Sequence, residues 1–317
     1  MTPISVAERP AGAPPSRQPH APQAPFGQLS PPPQAFHRRH PVLIYFILVF
    51  VLAWGALLPV LGGPLSTSGN DRKANPLFLL AIMAGPLAPA AASLLLTGLL
   101  DGRAGYRELL GRLGRWRVGW RWYAAALLAG PLPILLATTV LVVLLRSPEF
   151  LPSIFTAPPT LGLVLLGVAV GLVAGVFEEL GWTGFAIPRL RRQHGLLGTA
   201  LVVGLVWGAW HGPAFWRADS FSEALPFLFL LAQLFAWLPA YRILLVAAHD
   251  RTHSLPVVML MHASLSASTL ILAAPRLSDG RSLASVLVWA AVLWVLAGVV
   301  MLISRRQPQS IVKGIGS

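Results

Sequence analysis

The sequence predicts an all-α fold, a polytopic membrane helix bundle with about eight transmembrane helices and both termini in the cytoplasm. Three observations support this prediction. The hydrophobic fraction is 55%, the charged fraction is only 11% and the mean hydropathy is +0.68, values outside the range of soluble globular domains. Apolar runs of about 20 residues, the length that crosses a hydrocarbon core, recur along the chain. Basic residues are distributed unevenly between the loops that join these runs.

Eight apolar runs are candidate transmembrane helices. They cover residues 42–62, 76–100, 122–145, 160–187, 195–215, 224–248, 255–274 and 284–304. Prolines and glycines inside these runs are tolerated better in membrane helices than in soluble ones. We therefore predict a transmembrane domain over residues 42–306, in the inner or plasma membrane.

The two ends of the chain differ from this domain. Residues 1–41 hold 11 of the 29 prolines and show no apolar periodicity, which predicts a disordered cytoplasmic tail. This N-terminal segment lacks the features of a cleaved secretory signal, so the first apolar run is expected to stay as an anchor. Residues 307–317 are predicted to be a short C-terminal tail. The chain has no cysteine, which excludes disulfides, thiolate metal sites and a cysteine nucleophile.

The basic charge is interpreted as a topology signal. With a cytoplasmic N-terminus, 18 of the 24 Lys and Arg residues fall on the inner side and 6 on the outer side, as the positive-inside rule requires. Attraction to anionic membrane lipid is a secondary effect, and no nucleic-acid partner is expected. The stretch 103–123 alternates Arg with Leu, Trp and Tyr, which predicts a helix in the inner interface.

Two adjacent carboxylates, Glu178 and Glu179, lie inside the fourth apolar run. A charged side chain at membrane depth costs roughly 2.5 to 3.5 kcal/mol, so such groups usually face a protein interior or a wet cavity and are functional. The other polar groups within the runs are His211, Gln233, Arg242, His262, Ser264, Ser266 and Ser268. Gln233 and Arg242 are interpreted as packing and snorkelling residues.

Glycine pairs mark two of these runs as closely packed. Gly171 and Gly175 form a small-xxx-small pair in the fourth run, and 204 and 208 form another in the fifth. Residues three apart share a helix face, so the contact faces of these two runs are predicted to carry Glu178 and His211. His249 and His253 are predicted to lie on a solvated loop.

Three strings resemble the signatures of one protease family. Glu178-Glu179-Leu180-Gly181-Trp182-Thr183-Gly184-Phe185, ending in Pro188-Arg189, is similar to the first signature of the CPBP (CAAX protease and bacteriocin-processing) intramembrane proteases, which include CAAX prenyl endopeptidases and bacterial Abi proteins. Trp207-Gly208-Ala209-Trp210-His211 resembles the second, and His262 with Ser266 the third. The resemblance is strongest over residues 160–270.

The chain departs from the family signatures at three positions. Thr183 stands where the first signature usually carries Arg, Trp207 where the second usually carries Phe, and Ser266 where the third usually carries Asn. The change at Thr183 removes an expected ion-pair partner of the carboxylates.

The resemblance implies an intramembrane endopeptidase that acts on a peptide or membrane-protein substrate. A desolvated carboxylate accepts a proton from water more readily, which suits Glu178, with Glu179 beside it, as general base. His211 is then expected to orient the water, while His262 and Ser266 donate to the oxyanion. The family supports both a purely glutamate-driven account and a metalloprotease account, in which Glu178, His211 and His262 hold Zn²⁺.

Two other classes of function compete with proteolysis. Intramembrane carboxylates and histidines also form the proton relays of transporters, and the chain could be an immunity-type scaffold without activity. Transport predicts paired repeats and polar groups in both halves of the membrane. The polar groups here concentrate in the fourth, fifth and seventh runs without an evident repeat, which favours an enzyme.

Overall fold

The computed structural model of the protein describes residues 36–61, 77, 84–156, 161–274 and 277–306. Within these ranges the chain forms helices and connecting turns without a β-strand, which confirms the all-α class. The helices of eight residues or more in this part of the chain are α1 (Pro41–Leu61), α2 (Leu87–Leu113), α3 (Trp120–Leu128), α4 (Pro131–Leu145), α5 (Leu161–Gly181), α6 (Leu196–Trp210), α7 (Ala224–Leu231), α8 (Leu238–Thr252), α9 (Leu255–Ile271) and α10 (Asp279–Arg306).

The helices support a multi-pass membrane protein, but not a fixed count of eight spans. Four helical segments among the described residues are long and apolar enough to cross a membrane: Pro41–Val60, Leu161–Leu190, Ala224–Thr252 and Asp279–Ser304. Helices α3 and α4 form a fifth span if the pair, bent by 41°, is counted as one. Helices α6 and α9 are apolar but have only 15 and 17 residues. The count of eight and the cytoplasmic placement of both termini remain predictions.

Several sequence predictions fall wholly or partly outside the described residues. Residues 1–35 of the predicted N-terminal tail and the whole C-terminal tail, 307–317, lie outside them, as does most of the stretch 76–83 that begins the second apolar run. Within the described residues, Phe36–Arg39 form a helical turn just before α1, in place of the disorder predicted there.

The predicted interfacial helix at residues 103–123 is not one element. Helix α2 continues to Leu113, and α3 begins only at Trp120. Inside α2, Gly102 has a φ of +58° and kinks the helix between its apolar and basic halves. Glycine adopts this left-handed conformation without a steric penalty, so the basic half leaves the direction of the apolar half.

Close packing of α5 on α9 forms the centre of the bundle. A Cβ on Gly171 or Gly175 would overlap backbone atoms of α9 near Ala263. The predicted contact face of α5 therefore exists, and it faces α9. This approach carries His262 of α9 to within hydrogen-bond distance of Glu179 and to 3.9 Å from Glu178.

The glycines of α6 pack on a different partner. Gly204 lies against Pro239, and a Cβ on Gly208 would overlap the backbone oxygen of Leu234. The two glycine faces predicted from the sequence are contact faces, but α5 packs on α9 and α6 packs on α8. A small-residue pattern shows that a helix is approached closely without identifying the partner.

Two π-helical turns interrupt the long spans, at Trp182–Ala186 and Ala232–Ala236. In each turn a side chain from another element donates to a backbone carbonyl. Nη2 of Arg112 lies 2.9 Å from the oxygen of Gly184, and Nε1 of Trp294 lies 2.8 Å from the oxygen of Ala236. Such outside donors satisfy backbone groups that lipid could not. Single π-helical turns are frequent at functional sites.

Polar contacts between distant segments define two ends of the bundle. At the first, called the Arg189 end, Arg189 contacts Asp101 and Arg191 pairs with Asp250 at 2.9 Å. At the second, called the Arg217 end, the ion pairs are Arg217 with Asp279 and Arg281 with Glu149.

Candidate active site

The paired carboxylates occupy the last turn of α5 and face different surroundings. Both are buried, with 3% of Glu178 and 0% of Glu179 exposed. Consecutive helical residues point about 100° apart, so the two side chains separate. Glu178 lines a cavity, whereas Glu179 is enclosed by protein.

Glu179 is held by side chains from two other helices and from the π-helical turn that follows it. Nη1 of Arg242, on α8, lies 2.9 Å and 3.0 Å from its two carboxylate oxygens. Nδ1 of His262, on α9, lies 2.8 Å from Oε1, and the hydroxyl of Thr183 donates to Oε2. A buried ion pair offsets its desolvation only when the geometry is good and further hydrogen bonds are made. Glu179 accepts further hydrogen bonds from His262 and Thr183, whereas Nε and Nη2 of Arg242 have no hydrogen-bond partner among the described residues.

Glu178 is oriented by Trp207 and His262. Nε1 of Trp207 donates to Oε2 of Glu178 at 2.7 Å, and Nε2 of His262 lies 3.9 Å from the same oxygen. His262 therefore lies between the carboxylates, with Nδ1 towards Glu179 and Nε2 towards Glu178. Because an ionised carboxylate only accepts hydrogen bonds, Nδ1 carries the hydrogen.

His211 caps the C-terminus of α6 beside the same tryptophan. Its Nδ1 lies 2.8 Å from the backbone oxygen of Trp207, which can only accept. The ring packs edge-on against Trp207 and Trp210, with centroid distances of 5.4 Å and 4.8 Å. This arrangement leaves Nε2 of His211 as the nitrogen with a free lone pair.

A cavity of about 650 Å³ lies in front of Glu178. Glu178, His211, His262 and Ser266 line it, so four of the five predicted site residues share one space. The remaining walls are mainly apolar, with large aromatic side chains from several helices: Trp54, Phe150, Phe229, Trp237 and Trp289. Cavities of this size and composition enclose small molecules or short segments of chain.

The cavity extends from Glu178 towards the Arg217 end of the bundle. On α9 its lining begins at His262 and continues past the end of the helix to Ala274, and on α6 it begins at Trp207 and continues to Phe215. The turns of these helices nearer the Arg189 end contribute none of the lining residues. From Glu178 the cavity therefore lies on the side of the Arg217 end.

Arg242 was interpreted from the sequence as a packing or snorkelling residue, and this interpretation is wrong. Its side chain is fully buried and paired with Glu179. The cost of a charge at membrane depth, which singled out the glutamates, applies equally to this arginine and could have identified it. The prediction for His249 is also wrong, because it lies in the last turn of α8 and is only 5% exposed.

The donor set around the carboxylates does not fit the expected zinc site. Among the described residues, no three His, Asp or Glu side chains are arranged to hold a metal ion. Glu179 is already surrounded by Arg242, Thr183 and His262, and Oε2 of Glu178 accepts from Trp207. The Zn²⁺ assignment remains a prediction.

Residues 158–268 match the family model of the type II CAAX prenyl endopeptidase Rce1-like proteins. The resemblance seen in the sequence is confirmed. A stretch of 51 residues is also 35% identical to CAAX prenyl protease 2 of Methanococcus maripaludis, and covers 16% of this chain and 19% of that protein. Residues 158–268 are called the Rce1-like core below.

The Rce1-like core contains every predicted site residue and also Arg242. Within this core, helices α6, α8 and α9 and the π-helical turn at Trp182–Ala186 supply the polar contacts to the two carboxylates described above. Helices outside the core complete the cavity, because Trp54 of α1 and Trp289 of α10 form part of its wall. The site is thus built by the core and enclosed by the rest of the bundle.

Proposed function

We propose that this protein is an intramembrane endopeptidase in which Glu178 activates water. The observation that supports the proposal most strongly is the position of Glu178 in the cavity wall. Its carboxylate lies 3.9 Å from Nε2 of His262, with His211 lining the same space. The match of the core to Rce1-like proteins supports the same reaction class.

Glu178 acts as the general base. It takes a proton from a water molecule as the water oxygen attacks the carbonyl carbon of the scissile peptide bond. Trp207 holds one carboxylate oxygen at 2.7 Å and leaves the other for the water. The lone pair on Nε2 of His211 accepts the second hydrogen of the water and so fixes its direction of attack.

His262 and Ser266 stabilise the oxyanion of the tetrahedral intermediate. Nδ1–H of His262 is engaged by Glu179, so Nε2 can donate only in the imidazolium form, for which Glu179 is the counter-ion. Ser266 lies one helical turn after His262 and also lines the cavity. Preorganised donors of this kind usually contribute most to the rate of acyl transfer.

Collapse of the intermediate completes the hydrolysis. The C–N bond breaks, and protonated Glu178 gives the proton that it took from water to the leaving amine. The products are a carboxylic acid and an amine, and Glu178 returns to its ionised form; the acid then passes its proton to the released amine or to water. No covalent intermediate with the protein is formed.

The test compares Glu178→Gln with Glu223→Gln in purified protein reconstituted in lipid nanodiscs. Substrates are quenched fluorogenic peptides, with and without a lipidated cysteine. Glu178→Gln keeps the shape but removes the base, so turnover should fall at least about 100-fold. Glu223 is exposed in the loop before α7, and its variant should cleave like the unmodified protein.

Other results would contradict the proposal. Undiminished cleavage by Glu178→Gln would remove this residue from the mechanism. Absence of cleavage, together with Glu178-dependent proton flux in liposomes, would support a transporter. Absence of both activities would favour a scaffold.

A further inference from the structure

The signature in α5 lacks the arginine that the resembled family usually places at position 183. Thr183 is fully buried there and donates a hydrogen bond to Glu179. A hydroxyl supplies that bond but no positive charge. The cation that faces the carboxylates comes instead from Arg242, on α8.

Arg242 contacts one carboxylate directly. Its guanidinium is fully buried, and Nη1 bridges both oxygens of Glu179 at 2.9 Å and 3.0 Å. Glu179 in turn accepts from Nδ1 of His262. The position of Arg242 therefore sets the direction of Nε2, the nitrogen that faces Glu178.

Arg242 reaches the second carboxylate through Trp207. The guanidinium carbon lies 4.1 Å from the centroid of the indole ring, a cation–π contact. The same indole donates from Nε1 to Glu178 at 2.7 Å. A change in the arginine would thus tilt the ring that orients the general base.

We infer that Arg242 is the positioning residue for both carboxylates and takes the place of the arginine missing at Thr183. The inference rests on the proposed function, because it assigns Arg242 a role in that reaction. Lysine could take only part of this role, since its ammonium can pair with Glu179 as a point charge but lacks the planar guanidinium that stacks on the indole. Gly204 of α6 provides the room, because a Cβ there would lie only 3.3 Å from Cβ of Arg242.

The experiment replaces Arg242 and, in one variant, also places an arginine at position 183, where the resembled family usually has it. Arg242→Gln should lower kcat about 100-fold with little change in KM, because misplacement of catalytic groups by about 1 Å costs that much. Arg242→Lys should recover part of this loss. In Arg242→Ala combined with Thr183→Arg, kcat should rise at least about tenfold above Arg242→Ala alone, as a charge at 183 again faces Glu179.

The matched control is Arg251→Gln, which removes an exposed arginine from the same helix. It should leave kcat unchanged. All rates are expressed per folded molecule. The amount of folded protein is measured with a tight-binding probe or taken as the amount of monodisperse protein. A wild-type kcat per folded molecule in both Arg242→Gln and Arg242→Lys would overturn the inference.

A second measurement tests the pair without any activity. Thermal unfolding is followed for Glu179→Met, Arg242→Met and the double variant. Each single change leaves a buried charge unpaired, so the double variant should melt at a higher temperature than either single one. Additive losses in Tm would show that the two side chains are not coupled and would also overturn the inference.

The two proposals can fail separately. If Glu178→Gln cleaves normally, the proposed function fails, whatever the unfolding data show for Glu179 and Arg242. If Glu178→Gln is inactive and both Arg242 variants turn over normally, the proposed function stands and the inference on Arg242 fails.

Discussion

The indole of Trp207 makes a contact in the site that the Phe of the resembled signature could not make. The resembled signature usually carries Phe at this position, which could pack in the same place but has no N–H. In this protein Nε1 of Trp207 donates to Glu178, while the ring face receives Arg242. One residue therefore connects Glu178, the proposed general base, with the buried ion pair.

Trp207→Phe tests the hydrogen bond without removing the aromatic face. A hydrogen bond to a charged group contributes about 1.5 to 3 kcal/mol, so we expect kcat to fall about tenfold or more while KM changes little. The measurement is steady-state cleavage of a fluorogenic peptide. Trp120→Phe, at a tryptophan that is 74% exposed, is the control. An unchanged kcat in Trp207→Phe would show that Glu178 does not depend on this donor.

Ser266 allows the proposed oxyanion donor to be weakened or strengthened. Ser266→Ala should lower kcat by less than Glu178→Gln does, because His262 still donates; one fully engaged oxyanion donor is worth roughly 3 kcal/mol. Ser266→Asn places the family's usual donor at this position and should preserve or raise kcat. Activity lost in Ser266→Asn but retained in Ser266→Ala would argue against a donor role.

At the scale of elements, the contact between α5 and α9 controls the site. Glu178 and Glu179 lie on one helix and His262 on the other, so the distance between their axes decides whether these groups touch. Gly175 is one turn before the carboxylates and has no room for a side chain, since a Cβ would lie 2.7 Å from the backbone nitrogen of Ala263. Backbone atoms cannot move aside as a flexible side chain would.

Gly175→Ala should therefore separate the two helices. We expect a destabilisation of about 1 to 3 kcal/mol, the usual cost of overpacking, and a fall in kcat of at least tenfold because His262 leaves the carboxylates. Thermal unfolding and peptide cleavage measure the two effects. Gly162→Ala is the control in the same helix, because open space surrounds that glycine. Equal behaviour of the two variants would contradict this account of the packing.

At the scale of the whole molecule, the distribution of charge and the direction of the cavity combine. Arg242 pairs with a buried carboxylate and is therefore not counted among the loop charges. Without it, basic residues are still more numerous at the Arg189 end than at the Arg217 end. The positive-inside rule then predicts that the Arg189 end lies in the cytoplasm. In that orientation the cavity, which extends towards the Arg217 end, faces the outside of the cell.

Cysteine labelling tests this orientation on a chain that has no cysteine of its own. Ser278→Cys, at the Arg217 end, and Ser285→Cys, in the cavity wall, should react with a membrane-impermeant maleimide added to intact cells. Gln193→Cys, at the Arg189 end, should react only after the cells are opened. Labelling of position 193 alone in intact cells would reverse the orientation and place the cavity on the cytoplasmic side.

The sequence alone determined the membrane class, the helical fold and most of the site. Hydropathy depends on composition, and the cost of a charge in lipid depends on residue type, so both can be recognised without coordinates. The cost argument singled out Glu178 and Glu179, and the resemblance to the protease signatures added His211, His262 and Ser266. Whether they carry the proposed roles awaits the kinetic tests.

Only the tertiary structure decided which groups are partners. The glycine patterns indicated contact faces, but not that α5 packs on α9 or that α6 packs on α8. Thr183 suggested that the carboxylates lack a cation, whereas Arg242, distant in the chain, provides one. The physical reason is that an ion pair depends on distance in space, which helix packing fixes, whereas the sequence records only distance along the chain.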